Sequence, residues 1–327
     1  MIIIRSILLV VLLLVVLLLI IFAVLKIKKS QIKDYYDTEN GYSHLVSMEA
    51  EGHSKLPLFA KDLAVINEDT RDMSDILTSG AGFMTKCAGE SALIKKDAMQ
   101  RMHPASTTKI MTALCALKYG NLEDQVIITD GALITEPGVS LAYVEPGQIY
   151  TLQQLLYGLM LPSGNDAANA IAIHISGSVE DFVNLMNREA ADLGASDTHF
   201  TNPHGMTDED HYTTAYDLYL IMNEAIKYKE FVRICSKDEY NVEYLNPDGT
   251  YSSRLWKNTN KYVLDERDLP DGLSILAGKT GTTSAAGNCL VLAVKNEKED
   301  NYIGVILNSD SKGSLYDNMD YIISAAE

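Results

Sequence analysis

Apolar residues fall along this chain in three regimes. After Arg5 and Ser6, Ile7 to Leu25 is unbroken apolar sequence, long enough to cross a hydrocarbon layer about 30 Å thick. Residues 26–56 carry mixed charge with little periodicity and read as a tether. From Leu63 short apolar runs begin, LAVI and then AGFMTKCAGESALI, punctuated by Gly80, Gly82 and Gly89. Runs of that length between glycines predict strands and turns. Between Ser106 and about Tyr228 the period becomes helical. IMTALCALKYG has the spacing of a buried helix with Gly120 at its C-terminal end, and LQQLLYGLML, DAANAIAIHI, VEDFVNLMNREAADLG and AYDLYLIMNEAIKY predict further helices. Strand character returns after Trp256 in ILAGKTGTT, CLVLAVK and YIGVILN, and SLYDNMDYIISAAE predicts a closing helix.

Early and late strands can bury their faces only together, as one sheet with helices packed on it. The expected class is therefore α/β in the broad α+β sense, with a helical lobe inserted between the early and late strands. The boundaries follow: 1–25 a membrane anchor or uncleaved signal, 26–56 a tether, 57–327 the folded body. A cleaved signal would have a shorter apolar core ending in small residues. Here Ala23 is the one small residue near the end of the run and no A-x-A occurs, so an anchor fits better. Arg5 precedes the span while Lys26, Lys28 and Lys29 follow it, which by the positive-inside rule argues for a cytoplasmic body.

Charge narrows the partners. The formal net charge is −17, and the charged side chains within residues 1–29 are all basic, so the remainder is more acidic still. Such a surface repels phosphate backbones, and nucleic acid is not an expected partner. Cys87, Cys115, Cys235 and Cys289 form no C-x-x-C, and Cys115 and Cys289 lie in apolar runs, so neither a disulfide framework nor a cofactor is expected. His199, His204 and His211 match no helical ligand spacing, so no metal is expected either.

Three constellations carry chemistry. Ser106-Thr107-Thr108-Lys109 opens the first helix after Pro104. Residues three apart share a helix face, so Lys109 can reach the Ser106 hydroxyl. A serine needs a base, and a lysine serves if desolvation or a nearby cation lowers its pKa. Alone the pattern is weak: Ser30…Lys33 and Ser309…Lys312 repeat the spacing in polar stretches and read as surface accidents. Ser163-Gly164-Asn165 lies between two helices, where the bland reading is a cap. Lys279-Thr280-Gly281-Thr282 sits on a strand. A glycine there lets a substrate backbone lie against the strand edge, and the lysine supplies positive charge for a carboxylate and helps lower the pKa of Lys109.

In this order, on helix, loop and strand, the three match the serine-acylating signature of class A β-lactamases and penicillin-binding proteins. The sequence resembles the low-molecular-mass penicillin-binding proteins, specifically the D-alanyl-D-alanine carboxypeptidases, from about Ala81 to Asn308. HPASTTKIMTAL, LMLPSGNDAANAIA, ADLGASDTHFTNPHGM with HYTTAYDL, and AGKTGTTSAAGNCLVLAV carry the likeness. The resemblance implies a β-lactamase/transpeptidase-like fold with an antiparallel sheet. It implies Ser106 as nucleophile, Lys109 as its base, and Ser163 as proton relay to the leaving amine. Asn165 would bind the substrate backbone, Lys279, Thr280, Gly281 and Thr282 the substrate end, and the N–H groups of Ser106 and Thr282 the oxyanion. It further implies peptidoglycan stem peptides ending in D-Ala-D-Ala as substrate, β-lactams as inhibitors, and a body outside the membrane held through residues 7–25. His204 in TNPHGM also matches the family; a His in such a loop more often holds the loop than does chemistry. Many relatives carry a further β-rich domain after the last strands, where this chain ends. Glu68 to Leu77 reads as an insertion before the first hairpin.

Transpeptidation differs only in using an amine for the second step. A β-lactamase would need a water-activating glutamate; the nearest pattern, Glu180 with Asn184, lies on an amphipathic helix and reads as a solvated face. A non-catalytic β-lactam sensor would need a signalling partner.

Overall fold

In the computed structural model, residues 63–87 and 91–326 are described. The chain divides into two units, Met1–Leu58 and Phe59–Glu327, and all described residues lie in the second. The expected span at 7–25 and tether at 26–56 lie outside the described residues. Among the described residues, no helix is long and apolar enough to cross a membrane.

The chain opens with strands β1 (Arg71–Asp72), β2 (Ala81–Lys86) and β3 (Ala92–Lys96). A 3₁₀ turn over Ala105–Thr108 runs straight into helix α1 (Lys109–Tyr119). Strands β4 (Gln125–Ile127) and β5 (Ile149–Thr151) follow. Then come helices α2 (Leu152–Met160), α3 (Asn165–Ser176), α4 (Val179–Asp192), α5 (Ala215–Ala225) and α6 (Lys229–Cys235). A hairpin of β6 (Glu239–Leu245) and β7 (Tyr251–Lys257) leads to β8 (Ser274–Thr283), β9 (Gly287–Lys295) and β10 (Asn301–Ser309). Helix α7 (Lys312–Ile323) closes the fold, started by a capping box of Ser311 and Ser314.

The described strands form a six-stranded sheet in the order β1-β3-β2-β10-β9-β8 and a four-stranded one in the order β4-β5-β6-β7. In the large sheet every pairing is antiparallel except β1 with β3. Early strand β2 therefore lies against late strand β10, with Phe83 opposite Val305, and the helical lobe is the excursion between them. Because strand side chains alternate, the apolar runs of β9 and β10 serve two cores. Cys289, Val291, Ala293, Ile303, Val305 and Leu307 join the helical lobe. Leu290, Leu292, Val294 and Ile306 pack under α7 with Leu315, Met319, Ile322 and Ile323. Gly304 lets α7 approach: a Cβ there would lie 3.0 Å from Met319 Sδ.

Three expectations change. The stretch expected to be helical contains β4 and β5, and the β6–β7 hairpin lies where no strand was expected. In β6, Tyr240, Val242 and Tyr244 alternate with Glu239, Asn241 and Glu243, a period-2 signal that charged residues masked. The 68–77 stretch is an edge of the sheet: β1 pairs with β3, and Met73 and Leu77 are buried in the core beneath α7. Ser309, read as a surface position, ends β10 at 1% exposure, its carbonyl accepting from Asn288 Nδ2. A polar sequence run hid a strand end sealed by side-chain amides.

Candidate active site

Ser106 follows Ala105, whose φ of 50° is left-handed; for a non-glycine residue that costs on the order of 1–2 kcal/mol. The turn is held by its own hydroxyls: Thr107 Oγ1 donates to Pro104 O at 2.7 Å and Thr108 Oγ1 to Ala105 O at 2.8 Å. In a 3₁₀ turn residues i and i+3 eclipse, which sets Lys109 Nζ 3.1 Å from Ser106 Oγ. Lys109 is wholly buried. Its Nζ also donates to Asn165 Oδ1 and to His204 O, both at 2.7 Å. Burial, and after it the charge of Lys279, holds this ammonium well below the usual lysine range. A neutral amine has two N–H groups and one lone pair. As the free amine, with its N–H groups on Asn165 and His204, Lys109 would turn its lone pair to the Ser106 hydroxyl and accept from it.

Lys279 is 1% exposed, burial pushes its pKa down to about 7, and its Nζ donates to Thr280 O at 2.9 Å. Thr280 and Thr259 join through their hydroxyls at 2.7 Å, and Thr282 Oγ1 donates to Asn288 Oδ1 at 3.2 Å. Gly281 faces the turn that carries Ser106: a Cβ on it would lie 2.8 Å from Ser106 N and 3.1 Å from Pro104 O. The missing side chain thus lets β8 abut the turn itself, a closer reason for the glycine than room for a substrate backbone. Ser163 has a φ of 64°, and its buried Oγ has no hydrogen-bond partner among the described residues. Asn165 opens α3, its N–H donating to Ser140 O. The neighbouring Asp166 carboxylate accepts from Ala142 N and Val144 N, pinning the loop that passes the cleft.

Ser106, Ser163, Thr280, Gly281 and Thr282 line one cavity of about 340 Å³. Lys109, Asn165 and Lys279 stand behind its wall. The three constellations therefore converge, from the turn before α1, the turn before α3 and strand β8. A sequence model described as D-alanyl-D-alanine carboxypeptidase matches residues 69–311. The chain belongs to that family. It is similar to D-alanyl-D-alanine carboxypeptidase DacF of Bacillus subtilis, 35% identical over 209 residues that cover 62% of this chain and 50% of the relative. It is also similar to a D-alanyl-D-alanine carboxypeptidase of Streptomyces sp. strain K15, 34% identical over 234 residues, 68% of this chain and 77% of the relative. The crystal structure of the Streptomyces K15 DD-transpeptidase has the same fold, with a TM-score of 0.70 at 30% identity over 76% of this chain and 96% of that one. The chain spans about half the length of the DacF relative.

In this member of the D-alanyl-D-alanine carboxypeptidase family, several cleft groups escaped the sequence reading. The carbonyl of His204 that holds Lys109 is main chain, invisible in residue types. The His204 ring itself is buried, its Nδ1 accepting from Met206 N at 3.3 Å, and burial lowers its pKa to about 3; it holds the loop, as expected. Ser140, Thr259, Lys261, Glu266 and Tyr316 extend the cavity. Lys312, read as a surface accident, lines it too, so only the spacing of Ser309…Lys312 is accidental. Glu180 and Asn184 are exposed on α4, as expected of a solvated face.

Proposed function

We propose that this protein is a serine-type D-Ala-D-Ala carboxypeptidase that acts on peptidoglycan stem peptides through an acyl-enzyme on Ser106 and is inhibited by β-lactams. The observation that carries the reading is the buried Lys109, whose Nζ lies 3.1 Å from Ser106 Oγ and is held at 2.7 Å by both Asn165 Oδ1 and His204 O. Ser106 Oγ attacks the carbonyl between the two D-alanines, and Lys109 takes the hydroxyl proton. The oxyanion rests on the N–H groups of Ser106 and Thr282, where each preorganised donor contributes about 3 kcal/mol. The C–N bond breaks, Ser163 passes the proton to the leaving amine, and D-alanine departs; water then hydrolyses the ester. Asn165 Nδ2 binds the substrate backbone. Thr280 donates to the terminal carboxylate, with Lys279 behind it and Gly281 keeping the strand against the turn.

The test is D-alanine release from a peptide ending in D-Ala-D-Ala, with Ser106→Ala beside the wild type. Release confined to the wild type, with penicillin leaving one adduct on the Ser106 peptide, supports the reading; equal release from Ser106→Ala removes it. The likeness to a solved DD-transpeptidase favours a second reading in which an amine replaces water. Adding a free amine acceptor and finding the joined peptide would establish it. The apolar run at 7–25 supports a membrane tether, and the substrate lies outside the cytoplasmic membrane, so the body faces outward.

A further inference from the structure

His211 takes no part in the three motifs. It is 1% exposed, and its ring joins two segments. Nδ1 lies 3.0 Å from Thr201 N, with the Thr201 hydroxyl at 3.3 Å, and Nε2 lies 2.9 Å from Thr108 Oγ1. A backbone N–H can only donate, so Nδ1 accepts. A neutral imidazole then carries its one proton on Nε2 and donates it to Thr108 Oγ1. The Thr108 hydroxyl proton goes in turn to Ala105 O.

This directed chain ends on the carbonyl of the left-handed residue before the nucleophile. Gly205 closes the other side of the same carbonyl, for a Cβ there would come within 1.8 Å of Ala105 O. His204, the residue just before Gly205, supplies the carbonyl that holds Lys109. His211 thus ties the turn bearing Ser106 to the loop that fixes its base. Burial keeps the ring neutral, with a pKa lowered to about 4, against an opposing pull from Asp208 and with His103, His199 and Lys109 also near.

We infer that His211 is a positioning residue for acylation: as the Nε2–H tautomer it orients the Thr108 hydroxyl, which holds the Ala105 carbonyl and so aims Ser106. The inference rests on the reading of Ser106 as nucleophile. The test measures the second-order rate of labelling by a fluorescent penicillin, together with the melting temperature, in His211→Ala, His211→Gln and His211→Asn. A Gln side chain can restore the donor to Thr108, and Asn only the acceptor for Thr201. His211→Ala should label at least tenfold more slowly, His211→Gln should recover most of the rate, and His211→Asn should not, even where it melts as high as His211→Gln. Rates that follow stability alone across the three variants would overturn the role. If they fold poorly, Thr108→Val and Thr108→Ser decide it: loss with Val and recovery with Ser support the chain, and wild-type labelling of Thr108→Val overturns it. A wild-type chain that takes no label overturns the nucleophile reading and this inference with it. A labelled wild type with an equally fast His211→Ala overturns the positioning role alone.

Discussion

At the scale of single residues, the site is two buried lysines whose charges oppose each other. The positive charge of Lys279 is the second cause, after burial, that lowers the pKa of Lys109. Removing it favours the protonated form of Lys109, so the pKa of Lys109 rises. Catalysis that needs the free amine then starts at higher pH. The acid limb of kcat/KM in Lys279→Met should therefore move to higher pH than in the wild type; a limb that stays in place or moves down would deny the coupling. Gly281 makes a second expectation. With Ser106 N 2.8 Å from the new Cβ, Gly281→Ala must push β8 and the turn apart. Overpacking of this kind costs about 1–3 kcal/mol, yet acylation by penicillin should fall at least a hundredfold, because the proposed oxyanion donors, Ser106 N and Thr282 N, sit on both sides of that contact. These residues were legible because S-x-x-K, S-x-N and K-T-G need particular side chains at fixed spacing. What stayed hidden works through the backbone: the His204 carbonyl and the left-handed Ala105.

At the scale of elements, the small sheet braces the cleft loop. Tyr150 stacks on Tyr244 at 4.9 Å, and Trp256 Nε1 donates to Ala142 O at 2.9 Å. Arg254 Nη1 donates to the carbonyls of Ala142 and Tyr143. From the other side, Asp166 at the start of α3 takes Ala142 N, Val144 N and its own neighbour Ala167 N. Its charge also suits a helix N-terminus. Asp166→Asn turns one acceptor into a donor facing N–H groups, so it should cost about 1–3 kcal/mol in denaturant unfolding. Because the loop also carries Ser140 into the cavity, KM for the peptide should rise more than kcat falls. A variant equal to the wild type in both stability and KM would show that the loop needs no anchor. The helices and the three late strands were readable from periodicity. The hairpin was not, because its inward tyrosines alternate with carboxylates and amides that read as loop.

At the scale of the whole molecule, the pairing of early with late strands followed from burial alone: neither group can cover its apolar faces without the other. The edge at β1 did not follow, since Arg71 and Asp72 are exposed and polar and its buried apolar ties to the core, Met73 and Leu77, are few and widely spaced. The proposed attachment of the body to a membrane is a separate matter and rests on sequence alone. Ile7 to Leu25 has the length of a span, while the lysines behind it favour the inside. The proposed substrate argues against them, because a wall peptide is reached only from outside. If the span is retained, membrane fractions should hold the full-length chain, and a chain beginning near Gln31 should be soluble and release D-alanine at the wild-type rate. Mature protein whose first residue lies beyond Lys29 would mean a cleaved signal. Protease added to cells with opened walls should digest the body; full protection would place it inside, where the lysines after the span point and where no wall peptide is available to it.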